Sequence, residues 1–139
     1  DYVFTLGKAD LLRDGSDVTI IASGDCVANA LQAAAMLAGE GVSARVLNMH
    51  TVKPVDAEAV LRAAEETGAV VTAENHSVIG GLGSAVAEVL AEGRPAPLER
   101  VGVKDHFGQV GKAPYLMGVF GITPADIAKA ARKALARKR

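Results

Sequence analysis

Tryptophan is absent, and aromatic residues make up only 4% of this 139-residue chain. The core must therefore be aliphatic, built from Ala, Val, Leu and Ile, which fits an overall hydrophobic content of 50%. A single cysteine, Cys26, excludes an internal disulfide. It fits a reducing compartment, so a cytoplasmic location is expected. Charge of one sign is also lacking: 15 Lys and Arg against 16 Asp and Glu leave a net charge of −1. Such a surface offers no field to gather nucleic acid or an anionic membrane, and neither is expected as a partner. No apolar run approaches the roughly 20 residues needed to cross a bilayer. No secretory leader is read at the start. The chain opens on Asp1 rather than Met, which suggests processing or excision from something longer.

What is present is a repeating alternation. Val18 to Ala22 is a short, nearly all apolar run after the turn Asp14-Gly15-Ser16. Val27, Ala30, Leu31, Ala34 and Ala38 then recur at helical spacing behind Asp25, a candidate N-cap, and Gly39 and Gly41 stop the pattern. The same unit returns three times. Ser43 to Leu47 leads to a helix opened by Pro54-Val55-Asp56 and stopped by Gly68. Ala69 to Ala73 leads to a helix carrying Leu82, Ala85, Val86, Val89 and Leu90. Leu98 to Val103 leads through a short apolar helix around Tyr115 to Phe120 into a last helix capped by Thr123-Pro124, with Asp126 in its first turn. The buried face of that last helix is read as Ile127, Ala130, Ala131, Ala134 and Leu135, and the tail Arg137-Lys138-Arg139 as its frayed, solvated end. Strands and helices alternating in this way predict a parallel sheet covered on both faces, with right-handed crossovers. Ala9 to Arg13 is a candidate extra edge strand. No linker interrupts residues 1–139, which are read as one domain.

The glycine-rich stretch Glu74-Asn75-His76-Ser77-Val78-Ile79-Gly80-Gly81-Leu82-Gly83-Ser84 lies between a strand and a helix, where phosphate-binding loops occur. The dinucleotide fingerprint fails at Val86, which stands where a third glycine or alanine belongs. No Gly-Lys-Ser/Thr exists for a P-loop, and Ser84 lacks the nucleophile-elbow pattern. The turn is therefore read as a tight architectural link. His50, His76 and His106 are 26 and 30 residues apart, without ligand spacing, and no metal site is expected. Cys26 at a helix start is read as a small core residue rather than an activated thiol. Glu74, Asn75 and His76 gather a carboxylate, an amide and an imidazole at a strand end, fit either for catalysis or for holding a neighbouring domain. The glycine-bounded loop from Asp105 to Gly111 carries an exposed aromatic, Phe107, and is read as a contact loop.

ENHSVIGGLGSAV, GVKDHFGQVGKAP and FGITPADIAKAA, with DVTIIASGDCVANALQAA and VLNMHTVKPVD upstream, resemble the C-terminal domain of the transketolase family. The resemblance spans essentially the whole chain and is closest to the C-terminal portion of split transketolases. Related domains occur in 2-oxoacid dehydrogenase β subunits and in deoxyxylulose-phosphate synthase. It implies a three-layer α/β/α fold with a five-stranded, mostly parallel sheet whose first strand, near Ala9 to Leu12, is an antiparallel edge. It also implies a parent enzyme, dimeric or heterotetrameric, that uses thiamine diphosphate and Mg²⁺ to move a two-carbon ketol unit between sugar phosphates. The family holds cofactor and metal between two other domains. Its Gly-Asp-Gly metal motif is broken here, as Gly24-Asp25-Cys26 with Asn48 downstream, and no cofactor, metal or catalytic role is expected of this domain itself. Glu74, Asn75, His76, Gly80, Gly81, His106 and Phe107 are expected to form an interface to the missing domains or a partner subunit. Two rivals remain open at this point: a small autonomous enzyme working through Cys26 or Glu74/His76, and an anion- or nucleotide-binding module using the Gly80-Gly81-Leu82-Gly83 turn.

Overall fold

The computed structural model describes residues 2–138; Asp1 and Arg139, on which the reading of the chain start and part of the basic tail fell, lie outside the described residues. Five strands and five helices are found among the described residues. The strands are β1 (Asp10–Arg13), β2 (Val18–Ala22), β3 (Ala44–Asn48), β4 (Val70–Ser77) and β5 (Leu98–Val103). The helices are α1 (Cys26–Ala38), α2 (Ala57–Thr67), α3 (Leu82–Glu92), α4 (Ala113–Phe120) and α5 (Pro124–Ala136). They form one sheet in the order β1-β3-β2-β4-β5. β2, β3, β4 and β5 pair in parallel, and β1 pairs antiparallel with β3 at one edge. This is the mostly parallel sheet with an antiparallel edge strand that the resemblance implied.

Period-2 alternation in β2 shows how the layers arise. Val18 and Ile20 point into one cluster with α1 and α5, and Ile21 points into a second with α2 and α3. All five residues of β2 are buried, so a central strand covered on both sides reads as one continuous apolar run. Small side chains make the layers thin. Ala30, Ala33 and Ala34 of α1 and Ala128, Ala131 and Ala134 of α5 are fully buried, which brings both helices close to the sheet and to each other.

Local signals act largely as the sequence predicts. Gly68 ends α2 in the left-handed conformation at φ 67°. Thr123 and Asp126 form a reciprocal capping box at the start of α5, with Pro124 in its first turn. Four details differ. Asp25 precedes α1 but makes no side-chain cap. The third strand is shifted by one residue, to Ala44–Asn48. The basic tail is tied down rather than frayed: Arg137 Nη1 donates to the Leu98 carbonyl at 3.0 Å and to Glu99, and Lys138 Nζ donates to the Asp17 carbonyl at 3.3 Å. β4 runs on to Ser77, so Glu74, Asn75 and His76 lie within a strand, across a register irregularity between Ala73 and Ser77. Side-chain bonds described below keep that segment extended beyond its apolar run.

Candidate functional site

Parallel strands bring their C-terminal ends to one edge of a sheet, where α/β proteins place their sites. Here that edge collects the end of β4 with residues 78–81 after it, and residues 104–112 after β5, its neighbour. Glu74 stands at the base of this region. Its carboxylate is 2% exposed and accepts two backbone N–H groups from the start of α3: Leu82 N at 2.7 Å to Oε2 and Gly83 N at 2.8 Å to Oε1. These are donors that a helix N-terminus would otherwise offer to a bound anion. The chain's own carboxylate already fills that seat.

The glycines are required by this arrangement. A Cβ on Gly81 would collide with Glu74 Oε2 and come within 2.8 Å of His76 Nδ1. One on Gly83 would lie 2.9 Å from both Thr72 Oγ1 and Arg100 Cδ. Ser84 closes the turn, donating to the Val78 carbonyl at 3.1 Å and accepting from Gly80 N at 2.9 Å. Arg100 Nη1 donates to the same Val78 carbonyl at 2.9 Å. Glycines and hydroxyl thus serve close packing of α3 on the sheet, as the architectural reading of the turn requires.

Glu74, expected at an interface, is thus buried within this chain, its carboxylate turned inward onto the start of α3. His76 is exposed. Its Nδ1 lies 3.8 Å from Glu74 Oε2 and donates to the Ser77 carbonyl at 2.8 Å, since a carbonyl can only accept. Asn75 and Gly80 are exposed and Gly81 is half-buried. His106 is exposed, and Phe107 is 99% exposed at the tip of a loop without regular structure. A fully exposed phenylalanine keeps its whole apolar surface in water.

The other candidates follow β2 and β3 at the same sheet edge but make no hydrogen bond to this turn among the described residues. Cys26 is buried in the cluster of α1 and α5. Burial, with the Asp25 and Glu74 charges, pushes its thiol up to about 11, the opposite of an activated nucleophile. His50 follows β3, and its ring lies 4.5 Å from that of Phe4. Asp25 and Asn48 do not act together: the Asn48 amide donates to Asp10 at 3.3 Å. No group of three or more His, Cys, Asp or Glu side chains among the described residues could hold a metal. At the glycine turn the Leu82 and Gly83 N–H groups are committed to Glu74 and are not offered to a diphosphate. No helix of the described residues is long and apolar enough to cross a membrane.

Two features carried no local signal. Glu74 anchors a helix that starts eight residues later, outside any capping pattern of adjacent residues. The N-terminal segment packs beside β1, where Tyr2 donates to Asp10 at 2.9 Å and Ala9 N donates to Asp56 at 2.9 Å.

Residues 7–127 match the family model described as "Transketolase, C-terminal domain". The chain belongs to the transketolase C-terminal domain family. It is 64% identical over 135 residues to the 6-deoxy-6-sulfo-D-fructose transketolase subunit of Clostridium sp. strain MSTE9, covering 97% of this chain and 42% of that protein. It is 43% identical over 129 residues to 1-deoxy-D-xylulose-5-phosphate synthase of Heliobacterium modesticaldum, covering 92% of this chain and 20% of that one. Among solved structures it superposes on a split-gene transketolase, an inactive beta4 tetramer, with a TM-score of 0.95 and 51% identity over 98% of this chain and 45% of the other. This transketolase C-terminal domain thus spans less than half the length of the relatives it matches.

Proposed function

We propose that this transketolase C-terminal domain is a non-catalytic assembly unit of a thiamine-diphosphate- and Mg²⁺-dependent transketolase that moves a two-carbon ketol unit between sugar phosphates. Its partners are the cofactor-binding domains or subunit of the same enzyme, in a dimeric or heterotetrameric parent in the cytoplasm. The observation that carries this reading is the state of the glycine turn. The seat at the glycine turn is occupied by Glu74, while Phe107, on the loop after the neighbouring strand β5, is fully exposed. An internally satisfied turn and an uncovered apolar loop suit docking rather than turnover. Asn75, His76, Gly80, Gly81, His106 and Phe107 form the docking surface, with Glu74 holding it from below.

The 64% identity to a transketolase subunit favours transketolase over the deoxyxylulose-phosphate synthase alternative, whose Heliobacterium modesticaldum relative is 43% identical. The purified chain is expected to release no ketol unit from 6-deoxy-6-sulfo-D-fructose or a ketose phosphate, even with thiamine diphosphate and Mg²⁺. Activity appears when the cofactor-binding subunit is added. Phe107→Ala leaves the melting temperature unchanged and weakens that association by roughly 2–4 kcal/mol, the range of an aromatic anchor. Turnover by the chain alone, or unchanged association of the variant, overturns the proposal.

A further inference from the structure

The loop 52–55 and the outer face of α3 bound a groove of about 370 Å³ that opens beside the Gly80-Gly81 turn. On the α3 side it is lined by Gly81, Ser84, Ala85, Glu88, Val89 and Glu92, which recur at helical spacing and so form one stripe. Leu82, Val86 and Leu90 face the other way, into the core. Val55, Ala85 and Val89 are half-buried and give the groove an apolar floor. Val52 on its loop wall and Ile79 beside Gly80 are exposed.

Lys53 stands on the loop wall against Glu88 and Glu92 on the helix wall, a net charge of −1. The fold leaves the two carboxylates uncompensated in three ways. They stand at i and i+4, the spacing at which like charges on a helix repel. They lie in the second half of α3, where the helix dipole favours cations, and the last turn holds no basic residue. Arg94, just past the helix, turns to Glu65 at 3.9 Å instead, and neither glutamate forms an ion pair among the described residues. A cation brought from outside satisfies all three.

From the apolar groove, its uncompensated carboxylates and its junction with the glycine turn, we infer that this face receives a basic amphipathic helix of the cofactor-binding partner. An arginine of that helix lays its stem over Ala85 and Val89 and its guanidinium on Glu88 and Glu92. Arginine suits the site better than lysine, because the floor covers an aliphatic stem and a planar head with five donors can serve two carboxylates one turn apart. The partner is that of the proposed assembly role, on which the inference rests, and the groove continues its docking surface through Gly80 and Gly81.

Two measurements test it. The full chain, isotopically labelled, is titrated by NMR with an N-acetylated, amidated helical peptide of alanine, leucine and arginine, and with the same peptide carrying citrulline, an uncharged analogue, for arginine. Expected are shifts concentrated at residues 52–55 and along the α3 stripe, weakened by salt and at least about tenfold weaker with citrulline. Association with the cofactor-binding subunit is then compared for wild type, Phe107→Ala and the doubly reversed Glu88→Lys, Glu92→Lys variant, which is expected to lose about tenfold or more in affinity. Cations suit the end of α3, so the reversed variant should melt at or above the wild type; Glu88→Gln with Glu92→Gln serves if it does not. Equal binding of the citrulline peptide, shifts away from the groove, or unchanged association of the reversed variant overturns the inference. If Phe107→Ala weakens association while the reversed variant does not, the groove falls and the assembly role stands. If the wild-type chain does not bind the subunit at all, both fall.

Discussion

Replacing Glu74 by glutamine preserves shape and removes charge, so it isolates what the buried carboxylate contributes. In the native protein its two oxygens accept the Leu82 and Gly83 N–H groups at 2.7 and 2.8 Å, and the group is 2% exposed. Bonds to a charged partner contribute about 1.5–3 kcal/mol each, and an orphaned buried donor costs about 1–3 kcal/mol. Glutamine keeps one acceptor and turns an NH₂ group towards the other N–H, so one bond is lost and one donor is left unsatisfied. The expected loss is about 2–4 kcal/mol, with the helix-dipole contribution included in that range. For a domain of this size that lowers the melting temperature by roughly 6–20 °C. Glu74→Ala goes further and empties the seat while keeping both donors. Inorganic sulfate should then raise the melting temperature of Glu74→Ala by more than it raises that of wild type, since an anion can replace the missing carboxylate. Thermal unfolding followed by circular dichroism, in sulfate and in chloride at matched ionic strength, reads both effects. A Glu74→Gln protein that melts with the wild type would refute the reasoning, as would an identical sulfate response in Glu74→Ala and wild type.

Gly81→Ala places a Cβ against the Glu74 carboxylate and should destabilise by about 2–3 kcal/mol in urea unfolding. Gly80→Ala meets open space and carries only the left-handed backbone strain at φ 77°, about 1–2 kcal/mol; reversal of that order would contradict the packing described. Cys26, with its thiol raised to about 11, should resist iodoacetamide in the native protein and react on unfolding. A folded pKa above the unfolded value of about 8.5 means full stabilisation below that pH. It is lost as pH rises from there towards about 11, and Cys26→Ala should flatten that alkaline decline in denaturation midpoints. Burial alone would raise the Glu99 carboxyl, but bonds from Lys133 and Arg137 hold it below the usual value. Its contribution is therefore present above the unfolded pKa of about 4.3 and disappears as pH falls through the lower folded value. Glu99→Gln should lower stability at neutral pH and reduce the acid dependence of the urea midpoint.

Composition and spacing by themselves determined the class of fold. Val18 to Ala22 can only be a strand buried on both faces, because no polar residue but Thr19 interrupts it and its length is too short for a helix. Gly68, Thr123 and Pro124 marked helix ends because those residues act through their own backbone geometry and their nearest neighbours, which a sequence displays. The exposure of Phe107 was legible too, since it stands in a glycine-bounded loop between His106 and Gly108-Gln109. The role of Glu74 was not. Its partners are main-chain N–H groups of Leu82 and Gly83, brought back over it by the fold of the turn, and a backbone donor carries no letter in a sequence. The same holds for Arg137, whose partners Leu98 and Glu99 lie on a strand nearly forty residues away in the chain. Local chemistry thus settled which segments are strands and helices. Tertiary structure alone decided that the carboxylate at the glycine turn faces inward, because only the closed fold determines which polar group wins a buried pair of donors.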